Sequence, residues 1–134
     1  MKILVIDGQG GNLGKQLCKM LTDKLPEAKI RAVGTNSLAT ESMLKAGVLE
    51  AATGENAVIV GAKWADIIVG PIGIVIADAL LGEVTPKMAI AVGSADAKRI
   101  LIPMNKCETI VAGIDNIPTS SLIESAIQKI ISYT

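Results

Sequence analysis

Five short apolar runs, each closing on a small, polar or glycine-rich segment, constrain this chain more than any other feature. The runs are residues 2–6, Lys29 to Val33, Val48 to Ala52, Asp66 to Val69 and Arg99 to Pro103. Runs of this length bounded by turn residues read as buried strands. The stretches between them carry helical spacing instead. From Asn12 to Leu25 the apolar residues are Leu13, Leu17, Met20, Leu21 and Leu25, and Pro26 closes the segment. Ser37 to Ala46 reads as a second helix, with Ser37 as its N-cap and Gly47 as its stop. In Asn56 to Ala65 the run Val58-Ile59-Val60 favours a strand, but a place between two strands favours a helix, and helix is adopted. Ile72 to Leu81 is apolar nearly all round and predicts a helix buried on several sides, ended by Gly82. Thr85-Pro86 starts a helix that reaches about Val92. Thr109 to Ala112 reads as a short edge strand. Ser121 and Glu124 form a capping box for a last helix whose stripe is Leu122, Ile123, Ala126, Ile127, Ile130 and Ile131.

Strands alternating with helices imply parallel pairing and right-handed crossovers. The expected fold is α/β: a three-layer, open, mostly parallel Rossmann-like sheet of about five strands, with helices on both faces. At 134 residues the chain fits one domain, 1–134. Half of its residues are apolar and only Trp64 and Tyr133 are aromatic, so Ile, Val, Leu, Ala and Met must build the core.

The same composition excludes several classes of function. Lys plus Arg and Asp plus Glu both number 13, which leaves no basic excess to displace counterions from nucleic acid. The longest near-apolar stretch, Ile67 to Leu81, is interrupted by Gly70, Pro71, Gly73 and Asp78, too soon for a membrane span. Two distant thiols, Cys18 and Cys107, make no disulfide framework, and no secretory signal opens the chain. A soluble, cytoplasmic protein is expected. The absence of histidine removes His-dependent base chemistry and nearly all zinc sites, and no metal ligand is assigned.

In such a sheet ligands bind beyond the carboxyl ends of the strands. The segments there are Asp7 to Gly14, Gly34-Thr35-Asn36-Ser37, Thr53-Gly54-Glu55-Asn56, Gly70-Pro71-Ile72-Gly73 and Pro103-Met104-Asn105-Lys106-Cys107. The topology brings all five to one edge. The first is the sharpest, with Gly8, Gly11 and Gly14 spaced as G-x-x-G-x-x-G between a strand and a helix. Glycines let the backbone approach an anion, and a helix start offers N–H groups to it. Lys15 in the first turn opposes the helix dipole, a conflict that a bound anion would relieve. The expected binding residues are therefore Gly8, Gln9, Gly10, Gly11, Asn12, Leu13 and Gly14, flanked by Asn36, Ser37, Gly70, Pro71 and Ile72. This reading needs the loop amides to face outward, and it expects Gly11→Asp to abolish binding in a folded protein.

Other residues carry two readings each. Asp7 is either a magnesium ligand or an acceptor for the loop's own N–H groups. Asp78, expected inside the buried helix, either pairs with a cation or faces the ligand. The Gly70 loop is a second anion site or a rigid turn. Cys107, beside Lys106, is a resting thiol or a nucleophile that no histidine activates. Glu55 and Asn56 cap a helix or touch the ligand.

The loop resembles that of short-chain-dehydrogenase-like Rossmann domains. It departs from G-x-G-x-x-G because Leu13 holds the third glycine's place. A dinucleotide site also wants an acid at the end of the second strand, where this chain has Gly34-Thr35-Asn36. The Tyr-x-x-x-Lys pair which that resemblance implies is missing, because the only tyrosine is Tyr133. More broadly, the chain resembles a bacterial family of small Rossmann-like proteins described as a domain of unknown function. The matching stretches are Ile6 to Gly11, Ala32 to Ser37, Ala52 to Ala57, Asp66 to Ile76, Thr85 to Ala89 and part of Lys98 to Cys107. That resemblance implies a Rossmann-like fold and brings no activity or catalytic residue.

The function expected is binding of a nucleotide, NAD(P) among them, or another small phosphorylated metabolite. A homo-oligomer is expected as well, because the Ile72–Leu81 helix is too apolar to face water. The alternatives are an NAD(P)-dependent oxidoreductase-like enzyme and an interaction subunit with a vestigial loop.

Overall fold

A computed structural model of the chain describes residues 1–104 and 109–134. The strands are β1 (Lys2–Asp7), β2 (Lys29–Gly34), β3 (Glu50–Thr53), β4 (Ile67–Pro71) and β5 (Lys98–Ile102). They form one five-stranded sheet in the order β3-β2-β1-β4-β5, and every neighbouring pair is parallel. β1 lies at the centre, with Ile3 opposite Ile30 on one side and Ile67 on the other. The helices are α1 (Asn12–Lys24), α2 (Ser37–Leu44), α3 (Glu55–Trp64), α4 (Pro86–Gly93) and α5 (Thr119–Ser132). The expected α/β sheet of five strands is therefore the fold. No helix of the described residues is long and apolar enough to cross a membrane.

The pleat explains the two cores. Ile3 and Val5 face one side of β1 and pack with Leu17, Cys18 and Leu21 of α1 and Ile123, Ile127 and Ile130 of α5. Leu4 and Ile6 face the other side and pack with Val58 and Ala62 of α3 and Met88 and Val92 of α4. Burying both faces is why the strands read as continuous apolar runs. The ambiguous Val58-Ile59-Val60 is helical: Val58, Gly61 and Ala62 meet the sheet while Val60 stays exposed.

Several local expectations are corrected. Asn36, not Ser37, caps α2, its side chain accepting the Ala39 N–H at 2.8 Å. α5 begins at Thr119 after Pro118, which leaves Ser121 inside the first turn and unable to cap. Thr109 is a lone bridge residue and no strand runs on to Ala112. Above all, Ile72 to Leu81 is not a helix. A four-residue 3-10 turn, Ile72–Val75, gives way to a compact strap in which Asp78, Leu80 and Leu81 take φ of 65°, 57° and 56°, followed by Gly82 at 89°. Ile74 and Val84 are both buried in the α3–α4 core, so the chain must double back between them. A ten-residue helix would instead hold its ends about 15 Å apart. Bonds from Asp78 N–H to the Val84 carbonyl and from Val84 N–H to the Ala79 carbonyl close the strap. Asp78 is accordingly exposed, not buried in a helix.

Candidate functional site

β1 ends in Asp7, a residue only 5% exposed whose carboxylate lies behind the glycine loop. Its oxygens accept the N–H of Gly8 at 2.8 Å and of Gly14 at 2.6 Å. Asp7 therefore acts as the loop's internal acceptor. Gln9 (φ 50°) and Gly11 (φ 74°) supply the left-handed steps that bend the chain into α1. Gly11 N–H bonds the Gly8 carbonyl at 2.9 Å.

The glycines answer mainly to packing. A Cβ at Gly11 would lie 2.7 Å from the Ala39 Cα of α2, and one at Gly14 would lie 2.6 Å from the Met43 sulfur. A Cβ at Gly8 would lie 2.5 Å from the Thr35 hydroxyl and 2.7 Å from Leu80. Only at Gly10 would a Cβ within this loop meet nothing within 4 Å. A side chain at Gly11 would meet the α2 backbone, so Gly11→Asp strains the packing of α1 on α2 as well as adding charge to the loop.

The sequence reading missed Glu83. The strap carries its carboxylate to the loop, where Oε1 accepts the Gln9 N–H at 2.8 Å, the Thr35 hydroxyl at 2.7 Å and the Asn36 side-chain amide at 2.7 Å. Partial burial pushes the Glu83 carboxyl up, but these three donors outweigh it and hold it below its ordinary value. The strap's far end is pinned by Thr85, which accepts the Met88 N–H and donates to Glu55. No periodicity or motif announces Glu83, because its partners come from the ends of β1 and β2.

The loop amides therefore do not all face outward. Those of Gly8, Gln9, Gly11 and Gly14 are taken from within. Those of Gly10, Asn12 and Leu13 take no partner among the described residues. Asn36 joins the loop directly, its side chain also donating to the Gln9 carbonyl at 3.0 Å. Ser37 is exposed at the start of α2. Gly70 is buried where a Cβ would strike the Ile6 carbonyl, so it serves close strand packing. Pro71 has no N–H, and with Ile72 it forms wall rather than anion cradle.

That wall belongs to a pocket of about 560 Å³ at the carboxyl edge of β1, β4 and β5. Its apolar sides are Pro71, Ile72, Ile76, Leu80, Leu81 and Met104, and its polar groups include Gln9, Asp78 and Thr109. The chain turns from β1 toward β2 on one side and returns through β4 on the other, so the pocket stands at the topological switch point. Cys18 is buried in the core between the sheet, α1 and α5, and burial and the nearby Asp7 charge push its thiol up to about 12. Such a thiol is no nucleophile. Cys107, with Asn105 and Lys106, lies outside the described residues. Among the described residues no group of three or more Cys, Asp or Glu is placed to hold a metal ion.

The fold is similar to that of a dodecameric FMN-dependent UbiX-like decarboxylase from Escherichia coli O157:H7. The TM-score is 0.51 and the identity 18%, over 96% of this chain and 76% of that one. At that identity the likeness speaks for the fold alone. No curated protein matches the chain. Residues 2–134 match the profile of the family described as Domain of unknown function (DUF3842), and the chain belongs to that family.

Proposed function

We propose that this protein binds a nucleotide or a similar phosphate-bearing metabolite across the switch point of its sheet. The observation that carries this is the place of Gln9, which is both a residue of the glycine loop and a wall of the 560 Å³ pocket. A ligand filling the pocket therefore meets the loop. The volume falls within the roughly 300–1,000 Å³ common for small-molecule sites, and an apolar lining with few polar groups suits an aromatic ring. The phosphate would rest on the amides of Gly10, Asn12 and Leu13, at the positive end of α1. The FMN named for the similar decarboxylase is a ligand of this kind.

The test is a thermal-shift panel of NAD(P)(H), flavins, ATP, GTP and coenzyme A. A ligand at a hundred times its dissociation constant stabilises the fold by about 2.7 kcal/mol. At least one compound is expected to raise the melting temperature, and Gly10→Glu, which adds charge where there is room, should abolish the shift in a folded protein. A panel without a single shift overturns the reading.

A second reading, an interaction subunit with a vestigial loop, draws support from the two carboxylates that already occupy loop amides. A firm protein partner together with a silent panel would favour it. The protein is also proposed to work in the cytoplasm as a homo-oligomer. With the Ile72–Leu81 helix absent, the support for self-association is now the apolar surface at Leu81 and Ile110, 91% and 79% exposed. A monomer-sized species in sedimentation would remove that part.

A further inference from the structure

The carboxyl tip of β2 holds Gly34-Thr35-Asn36, with no acid among them. In dinucleotide-binding sheets that tip carries an acidic side chain which takes the ribose hydroxyls. Here an acid reaches the same place through space. Glu83, 47 positions beyond Asn36, seats Oε1 on the Thr35 hydroxyl, the Asn36 amide and the Gln9 N–H. All three donors converge on one oxygen, and Oε2 takes no bond among the described residues. No partnerless side-chain oxygen or nitrogen there is buried, so Oε2 reaches solvent. The result is a carboxylate anchored by one oxygen and open at the other. It is bonded to Gln9 and stands two positions after Leu81, both of them residues of the pocket wall. A carboxylate oxygen accepts hydrogen bonds from hydroxyls and repels a phosphate.

We infer that Glu83 sets the ligand's specificity: its free oxygen receives the 2′- and 3′-hydroxyls of an unsubstituted ribose and excludes a 2′-phosphate. The inference rests on the phosphate-ligand reading above and narrows it to nucleotides with a free vicinal diol.

Titration calorimetry with the wild-type chain and Glu83→Gln tests it. The probes are NAD, NADP, AMP, 2′,3′-dideoxy-AMP and inorganic pyrophosphate. Glutamine keeps an oxygen for the three donors and replaces the free carboxylate oxygen with a donor. The wild type should bind NAD or AMP at least about tenfold more tightly than NADP or the dideoxy compound, the worth of one charged hydrogen bond. In Glu83→Gln that ratio should fall to near one. If Glu83→Gln does not fold, the wild-type ratios decide alone. Equal binding of NAD and NADP, or binding of pyrophosphate without any nucleotide, overturns the inference and leaves the phosphate reading standing. Undiminished discrimination in Glu83→Gln also overturns it. Binding of none of the five probes also overturns the inference, and the thermal-shift panel then decides the phosphate reading alone.

Discussion

The carboxylate of Glu83 accepts the backbone N–H of Gln9 at 2.8 Å across 74 positions of sequence. This bond ties the strap to the glycine loop, and it makes stability depend on acid. The folded carboxyl titrates below its ordinary value of 4.5, because donors from Gln9, Thr35 and Asn36 outweigh the opposing effect of burial. Its contribution is thus present above pH 4.5 and is lost as pH falls through the folded value. Urea denaturation between pH 7 and pH 3 should show Glu83→Gln less stable at neutral pH by about 1 kcal/mol. The gap should close at the acid end. Two curves that stay parallel would show that the carboxylate charge contributes nothing.

Gly10 and Gly11 are neighbours with opposite tolerances. Gly11 sits at φ 74°, and a Cβ there would lie 2.7 Å from the Ala39 Cα and 2.8 Å from the Ala39 carbonyl oxygen. Gly11→Ala should lose at least the roughly 1–2 kcal/mol of a left-handed alanine, and more if α2 must move. Gly10→Ala meets nothing and should stay within about 0.5 kcal/mol of the parent. Equal urea midpoints for the two variants would contradict the loop geometry.

These contrasts show what the sequence could and could not disclose. The apolar runs and the spacing of Leu13, Leu17 and Leu21 are local signals that disclose the five strands and α1, whereas α3 followed from its place between two strands, against its local Val58-Ile59-Val60 run. The glycine loop was legible as a turn before a helix. Its inner wiring was not, because Asp7 can turn its carboxylate toward the loop or toward a ligand without any change in pattern. Ile72 to Leu81 misled because an unbroken apolar run fits a buried helix as well as a strap lining a pocket. Glu83 was invisible because its three donors lie 74, 48 and 47 positions away, joined only by the fold.

Leu81 is strained and unsupported. It takes φ 56° and is 91% exposed, so its side chain gains little from packing. A left-handed leucine costs about 1–2 kcal/mol, while glycine returns only about 0.4–1 kcal/mol of that through a freer unfolded chain. For a chain that stands alone, Leu81→Gly should therefore be neutral or up to about 1.6 kcal/mol more stable in urea, by the difference of those two terms. A clear loss would mean that Leu81 is covered in solution, as a contact between copies of the chain would cover it.

Cys18 should behave as a silent thiol. It is fully buried beneath Asp7, and burial, aided by that charge, pushes its thiol from 9.0 up to about 12. In a Cys107→Ser background, an aromatic disulfide reagent at pH 8 should leave the native protein unmodified and titrate one thiol in urea. The same shift makes stability depend on alkali. Its contribution is complete below pH 9.0, where both states hold the proton, and it disappears between pH 9.0 and about 12, as the unfolded chain alone ionises. The slope there approaches about 1.4 kcal/mol per pH unit. Cys18→Ala lacks this term, so its deficit relative to the Cys107→Ser parent should shrink as pH rises above 9.0. A constant deficit, or rapid native labelling, would place the thiol in contact with solvent and contradict the packing of α1 on β1.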